Sequence, residues 1–180
     1  MDARLEKILP LVQKPGRYIG GELNSVEKDP ASVDIRYAFC FPDTYEIGMS
    51  HLGIKILYYL VNSREDAYCE RVFAPWLDME EQMKAVGLPL FSLETGTPLS
   101  AFDIIGFTLQ YEMSFTTCLS MLDLGGVPVL AKDRKDLKNL VIGGGPCACN
   151  PEPLADFFDL FLLGDGEVVT MDLLDLYKEF

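Results

Sequence analysis

The sequence predicts an α/β protein built on a Rossmann-like or flavodoxin-like open sheet, mostly parallel, five-stranded and flanked by helices. Two observations carry that expectation. Short apolar runs alternate with stretches of helical periodicity along most of the chain, the pattern of βαβ units with right-handed crossovers. Near the C-terminal end two of these runs, Leu140–Ile142 and Leu160–Leu163, each meet a glycine cluster that leads into a helical pattern. Glycine has no Cβ, so the backbone there turns sharply and admits a ligand closely. Two such strand ends in succession mark one edge of a pocket at the carboxyl end of a parallel sheet. The 180 residues, 49% of them hydrophobic, suffice for one domain with a full core.

The elements follow in order. Leu5, Ile8, Leu9 and Val12 have helical spacing, which Pro10 interrupts. The Gly- and Pro-rich stretch after them has no clear period, so residues 1–32 read as a helix and a wrapped extension ahead of a domain at 33–180. Residues 33–41 (VDIRYAFCF) read as the first strand, stopped by Pro42. Ser50 is placed to cap a helix running to about Asn62, with Leu52, Ile56, Leu57 and Leu60 on one face. Ala67–Phe73 reads as a weaker second strand, and Pro75–Val86 as a helix opened by proline and ended by Gly87. A short edge strand is expected near Phe91, a third main strand at 103–109, and a helix at Met113–Leu124. Residues 127–131 (VPVLA) suggest one more short strand. The two glycine-ended runs are the fourth and fifth main strands, and the last helix is amphipathic.

Composition excludes several classes. No apolar stretch approaches the roughly 18 residues of a membrane span. The N-terminal residues mix charge with apolar positions and lack the continuous apolar core of a signal peptide, so a cytoplasmic protein without membrane contact is expected. Five cysteines, at 40, 69, 118, 147 and 149, are an odd number scattered through apolar segments and fit reduced thiols. The net charge is −13 and the fifteen basic residues form no patch, which argues against direct nucleic-acid binding.

Three loops at predicted strand ends could carry chemistry: residues 42–53, 109–114 and 143–153. His51, the one histidine, could ligate a metal centre or move a proton. Alone, without cysteine or carboxylate spacing, it specifies no metal site, and its plainer role is packing against Trp76 or a tyrosine. Cys147 and Cys149 form a C-x-C pair without further close ligands, and read as ordinary loop cysteines. Asp43, Glu46 and Glu112 are carboxylates expected in one cleft, where acid–base work and turn formation are both open to them. Asp165 and Glu167 look like an N-cap and a first-turn acid. No GxGxxG, GxxxxGK[ST] or GxSxG occurs, so dinucleotide, P-loop and serine-hydrolase sites are unsupported. Tyr45, Trp76, Phe107 and Tyr111 could line a flat ligand, or simply fill the core.

The blocks RYIGGELNSV, FPDTYEIGMSHLGIKILYYLVN, ERVFAPWLDME, IGFTLQYEMSFT and IGGGPCACNPEPLADFFDLFLLGDGE resemble, in order, the N-terminal part of a family of B12-binding-domain radical SAM proteins. The resemblance implies a cobalamin-binding-like Rossmann domain set before a radical SAM catalytic domain. The 4Fe-4S cluster and S-adenosylmethionine would belong to that second domain, whose CxxxCxxC spacing no cysteines here reproduce. This portion alone would have no catalytic residues, and its partner would be its own catalytic domain.

In the loop equivalent to the family's DxHxxG motif His51 is present, but Met49 and Ile54 stand where Asp and Gly would be. The SxL motif appears as Thr108-Leu109-Gln110, and the GG pair is kept as Gly143-Gly144. The resemblance therefore implies cobalamin held base-off by Asp43, Tyr45, Glu46, His51, Thr108, Gln110, Gly143, Gly144, Gly145 and Pro146, with His51 as a possible cobalt ligand. A degenerate domain used for domain packing or substrate recognition is the alternative. An FMN-binding flavodoxin-like domain is a weaker one, since the first loop lacks a Ser/Thr-rich phosphate cradle.

Overall fold

The computed structural model of the chain describes residues 2–135 and 137–179. Its centre is a parallel sheet of β1 (Ile35–Phe41), β2 (Ala67–Phe73), β3 (Ile104–Thr108), β4 (Leu140–Gly144) and β5 (Leu160–Phe161). The spatial order is β2-β1-β3-β4-β5, the flavodoxin-like order, so the fold class expected from the sequence is the one observed. Strand order reverses between β1 and β3, and a crevice opens at such a switch point.

The helices are α1 (Ala3–Ile8), α2 (Tyr45–Ser50), α3 (Leu52–Asn62), α4 (Leu77–Val86), α5 (Phe115–Leu124) and α6 (Gly166–Tyr177). Successive side chains of a strand point to opposite faces, and β1 shows the division. Ile35, Tyr37 and Phe39 pack with Ile54, Tyr58 and Val61 of α3 and Leu173 and Leu174 of α6. Ala38 and Cys40 pack with Leu5 and Ile8 of α1, Met79 and Met83 of α4, and Cys118 and Met121 of α5. Both faces of the sheet are covered, which is why its strands read as continuous apolar runs.

The edge strand β2 is shielded by polar contacts. Buried Glu70 pairs with Arg36 and accepts a hydrogen bond of 2.7 Å from Ser92 Oγ. Arg71 Nε lies 2.6 Å from Glu94 Oε1, and its guanidinium sits over the Tyr58 ring. Burial pushes the Glu94 carboxyl up from its ordinary range, against the pull of Arg71. Leu93 donates its N–H to the Arg71 carbonyl at 2.8 Å, so the turn at 92–97 lies along the strand. A covered edge cannot template pairing with another chain.

Four expectations need correction. Ser50 does not cap the helix after β1. An additional short helix, α2, occupies 45–50, and Ser50 is its last residue, its hydroxyl donating to the Ile47 carbonyl. His51, extended at φ −78° and ψ 121°, separates α2 from α3 and takes the cap position. Pro75 lies outside α4, because Trp76 is extended and caps a helix that starts at Leu77. Residues 127–131 form no strand: Val127 N–H closes the end of α5 on the Leu122 carbonyl, and Pro128 has no N–H to offer a ladder. Phe91 makes only an isolated bridge to Pro98.

Candidate functional site

A cavity of about 200 Å³ opens on the α3 and α6 face, at the carboxyl ends of the strands. Tyr37 and Phe39 of β1 and Ile142 of β4 form its apolar floor, and Ile56 and Leu57 of α3 face Val169 and Thr170 of α6 across it. Its mouth is set by His51, Thr108, Gln110, Gly144 and Gly145, together with Gly164 and Glu167. An apolar body with a few polar groups at the rim is the usual composition of a small-molecule site.

The three glycines after β4 do different work. A Cβ on Gly143 would meet Phe158 and Leu109 at 2.8 and 2.9 Å, so this glycine lets the α1/α4/α5 face of the core close. Gly144 points to the other face by strand alternation, and a Cβ there would meet nothing nearer than Leu162 at 3.9 Å. That open space is part of the cavity. Gly145 has φ +95°, a conformation that side-chain-bearing residues rarely adopt, and it turns the chain into the short helical turn Pro146–Cys149. Leu109 N–H to the Gly144 carbonyl at 2.7 Å and Cys147 N–H to the Leu109 carbonyl at 3.0 Å lock the loops after β3 and β4 together. The Gln110 amide donates to Thr108 Oγ1, which places both polar groups on the rim.

His51 packs on Phe41, ring centroids 5.3 Å apart, rather than on Trp76 or a tyrosine. Its Nδ1 is buried and has no hydrogen-bond partner among the described residues. A metal-bound histidine almost always donates its other N–H to a carboxylate or carbonyl. Met49, in the position of the family's aspartate, instead turns its sulfur to Arg71 at 3.2 Å. The sequence departure thus has a physical consequence: among the described residues, no hydrogen bond at Nδ1 orients the imidazole.

Of the sequence-derived residues, the structure brings His51, Thr108, Gln110, Gly144 and Gly145 to one cavity. It separates the others. Asp43 accepts from Tyr111 Oη at 3.3 Å in a different cleft. Tyr45 stacks edge-on with Phe73 at 5.7 Å. Glu46 accepts from Lys14 Nζ and Arg17 Nε at 3.1 and 3.0 Å. Although desolvation opposes it, bonding to Arg17 and Lys14 holds the Glu46 carboxyl down at about 2. Gly143 serves the core, and Pro146 opens the turn beyond the cavity. Phe107 reaches the cavity, while Trp76 and Tyr111 line the other cleft and do not plug this one. The carboxylates Asp43, Glu46 and Glu112 do not converge in the cavity. Among the described residues, no group of three or more His, Cys, Asp or Glu is arranged to hold a metal ion.

Tyr37, Gly53 and Thr170 were not legible as site residues. The GDGE turn carried the one available signal, because Gly164 and Gly166, in the turn after the fifth strand, line the same cavity.

Residues 53–180 match the family model described as radical SAM proteins, N-terminal. An uncharacterized protein of Methanocaldococcus jannaschii is 26% identical over 146 residues, which are 79% of this chain and 27% of that protein. The chain therefore spans roughly a quarter of that relative's length. No solved structure matches it. Among the described residues no helix is long and apolar enough to cross a membrane.

Proposed function

Because the chain belongs to the N-terminal family of radical SAM proteins, we propose that it forms an accessory domain which holds cobalamin, base-off and without a histidine ligand, beside a catalytic domain carrying the 4Fe-4S cluster and S-adenosylmethionine. The observation that carries this reading is the cavity between α3 and α6 at the strand ends, lined by His51, Thr108, Gln110, Gly144 and Gly145, five of the ten residues that the family resemblance points to. At about 200 Å³ it fits one arm of the cofactor and not the macrocycle. The residues present suit such an arm. Gly144 leaves the space a side chain would fill, Thr108 and Gln110 offer hydrogen bonds at the rim, and Tyr37, Phe39 and Ile142 provide an apolar floor. Cobalamin, when bound, would supply alkyl-transfer or radical chemistry to the neighbouring domain. The chain's own part is to bind and orient, and to exclude water from the buried arm. His51, whose Nδ1 lacks an orienting partner, would pack against the ligand without coordinating it.

The test is a UV–visible titration with hydroxocobalamin of the wild-type domain and of His51→Ala. Both should bind saturably with similar affinity and spectra. Loss of the spectral change in His51→Ala alone would make His51 a cobalt ligand. No binding by a folded wild-type domain would overturn the cofactor reading.

One observation favours a second reading. Leu52, Ile56 and Tyr59 of α3 are exposed at 69, 40 and 73%, at helical spacing beside the cavity mouth. On this reading the domain is a degenerate relative that packs on its own catalytic domain, and the apolar face of α3 is the contact.

A further inference from the structure

A second cavity, of about 420 Å³, lies on the other side of the sheet, between the starts of α4 and α5. Trp76, Tyr111, Asp43, Glu80, Thr116 and Thr117 stand around it. Among the described residues, no Lys, Arg or His lines it. Trp76 and Tyr111 are 46 and 47% exposed there, and both are held in place. The Trp76 backbone N–H donates to Tyr18 Oη at 3.1 Å, and the Arg17 guanidinium sits over its ring at 5.7 Å, itself fixed by Glu46. Tyr111 Oη donates to Asp43 Oδ2 at 3.3 Å. Asp43 Oδ1 accepts the Thr44 N–H at 2.7 Å. A carboxylate has about four acceptor sites, so these two bonds leave half of them free. Glu80 is already paired with Lys84 at 2.6 Å, whereas Asp43 has no ion-pair partner among the described residues.

We infer that this cavity binds a small organic cation of the alkylammonium class, with the cationic head between the aromatic walls and the Asp43 carboxylate. The chemistry is specific in sign. Aromatic faces attract cations through the ring quadrupole, and Arg17, which stands over the Trp76 ring, is not among the residues lining this cavity. Asp43 supplies a charge that no basic side chain of the wall neutralises, and Thr116 and Thr117 offer hydroxyls to a polar substituent. The same wall repels phosphates and carboxylates. The site lies across the sheet from the α3/α6 cavity and shares none of its lining residues, so it stands or falls independently of the cofactor reading.

Trp76 is the chain's single tryptophan, so intrinsic fluorescence reports on this cavity directly. The probe is choline, with 3,3-dimethyl-1-butanol as its uncharged isostere and sodium chloride as the ionic-strength control. Choline should change Trp76 emission saturably, and neither control should do so. Asp43→Asn, which keeps the side-chain shape, should weaken choline binding by roughly tenfold or more, as loss of a charged partner does. Thr116→Phe, at an exposed position that tolerates a larger side chain, should abolish the response with the melting temperature unchanged. An equal response to the neutral isostere, to salt, or in both variants would overturn the inference, as would no response in the wild-type protein.

Discussion

Single positions decide what the strand-end loops can do. Gly143 and Gly144 are neighbours in sequence, yet one is a packing glycine and the other a cavity glycine, because strand alternation sends them to opposite faces. No sequence pattern separates the two. Glu46 makes the same point for charge. It sits in the first loop beside His51, where a binding role is a fair expectation, but it serves as a tether for Lys14 and Arg17. Its carboxyl is held at about 2, below its ordinary 4.5. A depressed carboxylate adds stability that is fully present above about 4.5 and is lost as pH falls through about 2. The stability difference between wild type and Glu46→Gln, measured by urea unfolding, should therefore be constant near neutral pH and shrink below about 4.5. Its size should be no more than about 1 kcal/mol, because the pair is exposed. A pH-independent difference would contradict the ion-pair account.

The elements show how far pattern reading goes. Five strands, their order of appearance and the helices between them follow from alternating apolar periods, and the two glycine-ended strands mark the right end of the sheet. The short helix α2 was hidden because YEIGMS carries Gly48 and is only six residues long. It is also why Asp43, Tyr45, Glu46 and His51, all within nine residues, end in different places. The helix carries Tyr45 and Glu46 toward Phe73 and Arg17, and the extended His51 returns the chain to Phe41. Periodicity gives the face of an element and not where an inserted turn of helix points. The edge strand β2 holds a feature that composition does not announce, the buried Glu70 with Arg36, Ser92 and Thr95. Removing one member of a buried pair leaves an uncompensated charge. Glu70→Ala should destabilise the domain by about 3–5 kcal/mol in chemical denaturation. A loss below about 1 kcal/mol would mean that water replaces the carboxylate at Arg36.

At the scale of the whole molecule, one sheet separates two cavities of opposite character, one apolar and glycine-rimmed, the other aromatic and acid-walled. Leu5, Ile8 and Val12 bury themselves in the main core, so the N-terminal segment is packed against the sheet. The central claim concerns the cavity between α3 and α6. Gly144→Val tests it most directly, because the added side chain enters open space within the cavity and meets no core atom closely at its Cβ. Hydroxocobalamin affinity of this variant should be measured beside its melting temperature. The account predicts that binding falls by roughly a hundredfold or more, the cost of an overfilled site of about 3 kcal/mol, while the melting temperature stays near that of wild type. Undiminished binding by a folded Gly144→Val protein would contradict the account and remove the cofactor from this cavity.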